Sequence, residues 1–374
     1  MRYRPLRLLT AAVSTTAILT LAACGGGDDE KGTTATPGAG STLDVSSYTE
    51  PPAELPVTQP VSKPIPSGST VAFIHSGVPV SVQTLDGFEA AAEVLGWKVR
   101  ASTFDQTNPA TIITSIESAI AEKPAAIVLS ALQTAQYATV IPKAAEAGIP
   151  LIPYAQPDPG QEGVYPVANT AVRSTYAAKL LAETLVADAA DDSGPAKIVQ
   201  LTVSAFKSVL GFEDDGVKET LAKVCPDCSQ ELLDINLPDV FNGKYTQQVV
   251  SYLQRNPDVH YVVSDSKELA DGLPAALNSA GLTGVKIYGF SPGEAQIKEL
   301  QNGGAGAWVA QPYEVTGWIV ADQVARVLAG DATDLWADEH LSYIITSENA
   351  EAADPEGPEF PEGYEDKFKA LWNK

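Results

Sequence analysis

The strongest constraint on the fold is a repeated alternation of short apolar runs and amphipathic stretches, which begins at Thr70. The first unit, Thr70 to Arg100, has the pattern of strand, loop, helix, turn and strand. Val71 to Ile74 form an apolar run typical of a strand buried on both faces, and Gly96 stands where a helix commonly ends. Open parallel sheets bind ligands beyond the carboxyl ends of their strands, so we expect the loop from His75 to Ser81 to face a ligand.

Most of the chain repeats this unit. Such alternation predicts an α/β fold, with parallel sheets that carry helices on both faces. The units are too many for one sheet of usual size, so we expect two doubly wound lobes. The pattern weakens after Asp331: 342–346 is one more strand-like run, 348–363 resembles a surface segment, and 368–372 suggests a short docked helix.

The N-terminus has the features of a targeting segment. Arginines in the first seven residues precede the apolar run Leu8 to Thr20, and Leu21-Ala22-Ala23-Cys24 follows. This stretch resembles a bacterial lipoprotein signal, which implies cleavage before Cys24 and lipidation of its thiol. An ordinary signal peptide or a membrane helix is the alternative, although the run is short for a span. Residues 25–68 are rich in Gly, Thr, Ser and Pro and are predicted to be a flexible tether.

Charge and composition exclude several classes of function. The chain has 24 basic and 47 acidic residues, a net charge of −23, which argues against nucleic acid and against anionic solutes attracted from a distance. The three histidines, His75, His260 and His340, are isolated, so we predict no metal site and no cofactor. Phosphate-binding glycine motifs and a Ser-His-Asp set are not evident, and general bases are few, so we do not expect an enzyme.

Two further cysteines form a Cys-Pro-Asp-Cys sequence, Cys225 to Cys228. Outside the cytoplasm, such a nearby pair is predicted to be a structural disulfide. A redox site and a zinc site are the alternatives, and zinc is disfavoured because no second ligand pair exists.

A set of short motifs is spread in order along residues 69–347. They are His75-Ser76 after the first apolar run, Leu85-Asp86-Gly87-Phe88, Leu95-Gly96-Trp97, Asp105 to Pro109, Ala147-Gly148-Ile149-Pro150, Asn256-Pro257-Asp258-Val259, Gly289-Phe290 and Ala310-Gln311-Pro312. Together they resemble the ribose- and galactose-binding branch (type I) of bacterial periplasmic binding proteins, the solute receptors of ABC importers.

The resemblance implies two doubly wound parallel-sheet lobes joined by three chain crossings, near 168/169, 310/311 and 336–341. The ligand would lie in the cleft between the lobes, and the importer would sense closure of a monomeric receptor. The implied organisation is a signal peptide 1–23, a lipidated cysteine and tether 24–68, an N-terminal lobe 69–168 plus 311–338, a C-terminal lobe 169–310 plus 339–347, and a C-terminal extension 348–374.

The resemblance also places the ligand at the loops after the strands. Where sugar-binding relatives carry aromatic rings and charged pairs, this chain has more neutral residues, which suits a less hydroxylated or partly apolar solute, or a modified sugar. Lys207 and Lys267 are more typical of a solvated rim, Trp308 of a core, and Phe241 either closes over the ligand or covers its lobe. The predicted ligand-binding residues are His75, Ser76, Val80, Tyr154, Gln156, Asn169, Phe206, Phe241, Asp265, Ser266, Ser291 and Gln311.

The function predicted from these features is a lipid-anchored, extracytoplasmic substrate-binding protein of an ABC transporter. Its expected partners are a small-molecule solute, an ABC permease and the membrane that holds the lipid, with no nucleic acid. The alternative is a receptor that presents bound solute to a membrane signalling partner. A soluble repressor with the same lobes is discarded, because the lipoprotein signal and tether occupy the place of its DNA-binding helices.

Overall fold

The structure, a computed structural model, describes residues 43–105, 108–190, 194–354 and 357–374. The signal peptide, Cys24 and the first part of the predicted tether lie outside these residues. The strands are β1 (Thr70–His75), β2 (Lys98–Thr103), β3 (Ala126–Ser130), β4 (Leu151–Tyr154), β5 (Lys197–Thr202), β6 (Ser229–Asp234), β7 (Tyr261–Ser264), β8 (Lys286–Phe290), β9 (Gly306–Ala310) and β10 (Tyr343–Ile345).

The helices connect and cover these strands. They are α1 (Pro79–Leu95), α2 (Pro109–Ala121), α3 (Thr134–Tyr137), α4 (Ile141–Glu146), α5 (Thr170–Ala189), α6 (Lys207–Val224), α7 (Leu237–Phe241), α8 (Tyr245–Arg255), α9 (Leu273–Ser279), α10 (Glu294–Gln301), α11 (Tyr313–Ala329) and α12 (Tyr364–Leu371). In the part of the chain that the structure describes, none of them has both the length and the apolar character that crossing a bilayer requires.

Within the described residues the strands form two sheets. The first has the order β2-β1-β3-β4 and is parallel throughout, and its lobe is called the N-lobe. The second has the order β6-β5-β7-β8-β9-β10, and only β10 runs antiparallel, against β9; its lobe is called the C-lobe. The predicted fold class, two parallel-sheet α/β lobes, is confirmed.

The chain passes between the lobes after β4, after β9 and after α11. Helix α11 follows the C-lobe strand β9 but packs against α1 of the N-lobe, where both helices have glycine at the contact. A Cβ atom on Gly87 would lie 2.0 Å from the carbonyl oxygen of Glu314, and one on Gly317 would lie 2.3 Å from the backbone nitrogen of Phe88. The two helices therefore pack backbone to backbone, which fixes the start of α11 to the N-lobe.

Local signals in the sequence set the ends of these helices. Asn108 caps α2 by accepting a hydrogen bond from the backbone N–H of Ala110 at 3.3 Å, and Pro109 opens the helix. Helix α1 ends at Gly96, whose φ of 75° is left-handed. Between β3 and β4 the helical segment is divided into α3, a 3-10 turn and α4. Pro142, at the start of α4, disfavours a continuous helix through the residue before it.

Residues 164–167 form isolated bridges in place of a continuous strand, in which Val164 pairs with Leu151 and Val167 with Tyr154. Pro166 between them lacks the backbone N–H that a continuous ladder needs. In the C-lobe, Cys225 and Cys228 form a disulfide between α6 and β6.

The prediction that the whole of 25–68 is a flexible tether is wrong for residues 43–68, which we call the N-terminal strap. Leu55, Val57 and Val61 are buried in the hydrophobic core. The hydroxyl of Tyr48 donates to Glu183 on α5 of the C-lobe, and the N–H of Val61 donates to the carbonyl of Leu371 at 2.8 Å beside the N-lobe. Burial of apolar side chains offsets the entropy of ordering a segment whose composition alone favours disorder.

The docked C-terminal helix is confirmed as α12, and its end joins a buried polar centre. The carboxylate of Asp322 accepts from Trp336 Nε1 at 2.7 Å, from Trp372 Nε1 at 2.8 Å and from Arg326 Nε at 2.6 Å. Trp372 also stacks on Trp318, with ring centroids 5.4 Å apart and an interplanar angle of 2°. We call Asp322, Arg326, Trp336 and Trp372 the tryptophan hub. It ties α11 to the last crossing and to the C-terminus.

Candidate functional site

The carboxyl ends of the parallel strands gather the polar groups of the candidate site. In the N-lobe β1 ends in His75, and in the C-lobe Asp265, Ser291 and Gln311 directly follow β7, β8 and β9. Three positions immediately after strands have left-handed backbone at residues other than glycine, with φ of 52°, 52° and 55°. Such strain is concentrated at functional sites. These positions are Ala131, Ala155 and Ser291.

His75 offers a neutral donor at the end of β1. Its Nδ1 accepts from the N–H of Gly77 at 3.3 Å and lies 3.3 Å from Ser81 Oγ, and Ser76 Oγ lies 3.4 Å from the same oxygen. Burial lowers the pKa of the His75 imidazole, so the ring is neutral at pH 7. Because Nδ1 accepts, the single ring proton is on Nε2. Val80, half-buried on the first turn of α1, lies beside this loop.

Three other predicted contacts have structural roles. Gln156 is 1% exposed, and its carboxamide accepts from the N–H of Asp158 at 2.7 Å and donates to the carbonyl of the same residue at 3.1 Å. Asn169 caps α5 by accepting from the N–H of Ala171 at 2.9 Å. Tyr154 lies in the core, with its hydroxyl buried. Gln156 thus bonds the backbone with both ends of its carboxamide, Asn169 uses its amide oxygen as a helix cap, and Tyr154 belongs to the core. Contact of these three residues with solute stays a prediction.

A neutral hydrogen-bonding network, which we call the hinge network, lies where β8 and β9 end. Ser291 Oγ and Tyr313 Oη are 2.6 Å apart, and each lies 3.3 Å from Gln311 Oε1. Burial raises the pKa of the Tyr313 phenol to about 12, so the hydroxyl keeps its proton. Sequence reasoning missed Tyr313. The signal for it was an aromatic residue at the first helical position, two residues beyond the predicted Gln311.

Asp265 belongs to a buried acidic group, defined here as Glu213, Asp214 and Asp265, which are 5%, 6% and 2% exposed. Asp265 accepts from Gln200 Nε2 at 2.7 Å, and Glu213 accepts from Ser174 Oγ at 3.2 Å. Each of the three carboxyl groups has a buried oxygen to which no N–H or hydroxyl group of the described residues donates, and the carboxyl groups of Asp214 and Asp265 contact each other. Burial raises the pKa of all three groups, and at Glu213 and Asp265 repulsion from a neighbouring carboxylate adds to the rise.

The remaining predicted residues lie at or below the same edge of the C-lobe. Phe206 is half-buried against the C-lobe core, and Ser266 is half-buried next to Asp265. Phe241, on α7 after β6, is 81% exposed. The alternative that Phe241 covers its lobe is therefore wrong, and its ring is available to solvent.

A buried polar contact joins the three crossings beside this site. Arg173 on α5 forms an ion pair with Glu339, at 3.2 Å between Nε and Oε2, and its Nη2 donates to Thr316 Oγ1 on α11 at 3.0 Å. Arg173 and Glu339 are 6% and 2% exposed. Elements from both lobes thus meet at one guanidinium group.

Grooves also lie outside the hinge network. A groove of about 580 Å³ runs between α5 and α6, where the rings of Tyr176 and His340 lie 4.2 Å apart, but it lies on a helix face. Over the described residues, His, Cys, Asp and Glu side chains form no group that could hold a metal ion.

Comparison with known proteins agrees with this architecture. A family model described as a periplasmic binding protein domain matches residues 71–332. Among solved structures, an ABC sugar transporter subunit from Rhodobacter sphaeroides has a TM-score of 0.63 and 22% identity, covering 76% of this chain and 99% of that one. No protein with a curated functional description matches the chain.

Two more solved structures carry bound solutes. A solute-binding protein from Mycobacterium smegmatis with bound glycerol has a TM-score of 0.64 and 16% identity, covering 79% of this chain and 100% of that one. A solute-binding protein from Agrobacterium vitis, bound with alpha-D-tagatopyranose, has a TM-score of 0.61 and 21% identity, covering 75% of this chain and 95% of that one. At such identities these likenesses establish the fold alone. The family match spans both sheets, and the chain therefore belongs to the periplasmic binding protein domain family, whose members bind solutes and are not enzymes.

Proposed function

We propose that the protein is a lipid-anchored, extracytoplasmic solute receptor of an ABC importer, and that a small sugar or sugar-like molecule binds between its lobes. The observation that carries this proposal is the hinge network, in which Ser291, Gln311 and Tyr313 bring neutral hydrogen-bonding groups together at the strand ends. Members of the family bind small solutes and work with ABC permeases, which supports the transport assignment.

The chemistry at the strand ends favours a neutral solute. His75 is neutral at pH 7 and offers Nε2–H, and the hydroxyl of Ser76 and the carboxamide of Gln311 are uncharged. The exposed ring of Phe241 provides an apolar face on which the C–H side of a sugar ring stacks. A few oriented polar groups beside an apolar surface are typical of small-molecule sites.

Ligand binding by the full-length protein tests this proposal. We expect at least one of D-arabinose, D-tagatose, allitol and glycerol to raise the thermal unfolding temperature, because a ligand that binds only the folded state stabilises it. Isothermal titration calorimetry gives the affinity. If none of these solutes binds while a nucleoside or an aromatic compound does, the sugar assignment is wrong.

Two glutamines provide a matched pair of variants for locating the site. Gln311→Ala is expected to weaken binding of the solute identified in that screen by about 1–3 kcal/mol, because a buried hydrogen bond is lost. Gln156→Ala removes a carboxamide whose hydrogen bonds among the described residues both go to Asp158, so we expect lower stability with unchanged affinity. If Gln156→Ala weakened binding and Gln311→Ala did not, the solute would bind at the end of β4 and not at the end of β9.

The lipid anchor rests on the signal-like sequence around Cys24 and is tested separately. Cys24→Ser removes the thiol that lipidation needs, and we expect the protein to leave the membrane fraction. Metabolic labelling with a fatty acid should mark the native protein and not the variant. Membrane retention of an unlabelled Cys24→Ser protein would contradict lipid anchoring.

A further inference from the structure

The hinge network contains three polar groups in mutual contact and only two hydroxyl protons. The hydroxyl oxygens of Ser291 and Tyr313 are 2.6 Å apart, and Gln311 Oε1 lies 3.3 Å from each. Each hydroxyl has one proton and can also accept. Counting these protons therefore restricts which of the three groups donate and which accept.

In the 2.6 Å contact, one hydroxyl gives its proton to the other. The second hydroxyl then needs another acceptor, and Gln311 Oε1 is the one it has among the described residues. If the carboxamide were turned over, its NH₂ group would face both hydroxyls. The second hydroxyl proton would then have no acceptor among the described residues, so the count favours the orientation with Oε1 facing the network.

This orientation directs the other end of the carboxamide away from the network. Gln311 Nε2 has no hydrogen-bond partner among the described residues, and it is not among their buried, unpartnered polar atoms. Gln311 as a whole is 9% exposed. Its two N–H groups are therefore the accessible part of the side chain, at the carboxyl end of β9.

We infer that Tyr313 is a positioning residue, which together with Ser291 holds the Gln311 carboxamide so that its two N–H donors face the solute. The site then selects a solute that presents an acceptor oxygen at the hinge, such as a carbonyl, a ring ether or a hydroxyl lone pair. This inference rests on the proposed function. The hydroxyl of Tyr313 acts within the network.

The positions of the three residues make this orientation depend on both lobes. Ser291 and Gln311 follow C-lobe strands, whereas Tyr313 begins α11, which packs backbone to backbone against α1 of the N-lobe. A rotation of one lobe against the other moves the phenol relative to the serine. The donors at the hinge are consequently aligned only in lobe arrangements that keep the 2.6 Å contact.

The first test uses the free, full-length protein labelled with ¹⁵N-glutamine, and reads the side-chain amide of Gln311 by NMR. The signal is assigned by its loss in Gln311→Glu. We expect Tyr313→Phe to shift the two amide proton resonances and the double variant Tyr313→Phe/Ser291→Ala to shift them further. Tyr252→Phe, which removes a hydroxyl bonded to Glu231 at 2.7 Å outside the network, should leave them unchanged. An unchanged Gln311 amide in Tyr313→Phe would overturn the inference.

The second test separates positioning from a merely structural role by measuring affinity and stability together. The probe is whichever of D-arabinose, D-tagatose, allitol and glycerol binds the native protein most tightly. Gln311→Glu keeps an acceptor for both hydroxyls but loses both donors, so we expect about a tenfold or greater loss of affinity. Tyr313→Phe should lose about three- to tenfold with little change in unfolding temperature.

These outcomes distinguish the inference from the proposed function. If Tyr313→Phe lowers the unfolding temperature but binds the probe as the native protein does, Tyr313 is structural and the inference is wrong while the function stands. If none of the four solutes binds the native protein, the proposed sugar specificity fails. The NMR result on the free protein then still decides whether Tyr313 orients the carboxamide.

Discussion

Two buried carboxylate centres, one in each lobe, differ in how their oxygens are satisfied. In the tryptophan hub of the N-lobe, Asp322 accepts from two indole N–H groups and from a guanidinium group, all within 2.8 Å. In the acidic group of the C-lobe, each carboxyl group has a buried oxygen that no N–H or hydroxyl donor of the described residues satisfies, and the carboxyl groups of Asp214 and Asp265 contact each other instead. Lys207, at the exposed start of α6, acts to lower the pKa of Asp214, but burial has the larger effect and the pKa is raised overall.

The difference shows what burial alone does and does not tell about a carboxylate. A buried charge is tolerated when donors and a counter-ion surround it, and it then acts as part of the core. Without them the group holds a proton instead, which is why the pKa values of the acidic group are raised. We therefore expect the two centres to respond with opposite signs when their charge is removed.

The largest effect is expected at the hub. Asp322→Ala leaves Arg326 as an uncompensated buried charge and both indole N–H groups without acceptors, so the free energy of unfolding should fall by about 3–5 kcal/mol. Urea unfolding followed by tryptophan fluorescence measures it. Asp366→Ala, which removes an exposed carboxylate of α12, should change stability by less than about 0.5 kcal/mol. A loss below about 1 kcal/mol for Asp322→Ala would contradict the comparison.

The opposite sign is expected in the acidic group. Because burial raises the pKa of Asp265 in the folded state, the folded protein binds protons more tightly than the unfolded chain, and this stabilising contribution is lost as pH rises. Asp265→Asn has no carboxyl group to ionise, so stability is no longer lost at this position as pH rises. Its amide oxygen still accepts from Gln200. We expect it to raise the free energy of unfolding by about 1–3 kcal/mol at pH 8 and by less at pH 5. Equal destabilisation at both pH values would show that Asp265 is a structural acceptor like Asp322.

Glu359 lies between these two centres in how its oxygens are satisfied, and its replacement is expected to have the smallest effect on stability. Glu359 accepts from the N–H groups of Glu314 at 3.1 Å and Val315 at 3.0 Å at the start of α11, and burial raises its pKa to about 7. Its stabilising contribution is complete below the ordinary carboxyl range and is lost as pH rises through about 7. Glu359→Gln should flatten the dependence of unfolding free energy on pH between about 5 and 8, by about 1 kcal/mol. An unchanged slope would mean that backbone donors alone satisfy this carboxylate.

The sequence predicted the elements whose signals are local. Apolar runs such as Val71 to Ile74 marked the strands, Gly96 marked a helix end, and the alternation of strands and helices predicted two parallel-sheet lobes. These features depend on residues within one turn or one strand of each other. They need no knowledge of which distant elements meet.

The candidate site was predicted less completely, because side-chain partners depend on tertiary contacts. Gln156 and Gln311 both follow predicted strands, yet one bonds the backbone two residues away and the other joins Tyr313 and Ser291. Nothing in the local sequence distinguishes them. The tether prediction was wrong for the N-terminal strap for the same reason, since the surfaces that bury Leu55 come from residues far along the chain.

The N-terminal strap adds a fourth passage of the chain across the junction of the lobes. It is fastened first to the lobe of sheet β5–β10 through Tyr48 and then to the other lobe through Val61. A pull on the chain from upstream of residue 43 therefore reaches the C-lobe, through Tyr48, before it reaches the N-lobe. Because Leu55 and Val57 are already buried in the core before Val61 is reached, the segment between Tyr48 and Leu55 limits how far the lobes separate, at about 3.5 Å per residue when fully extended.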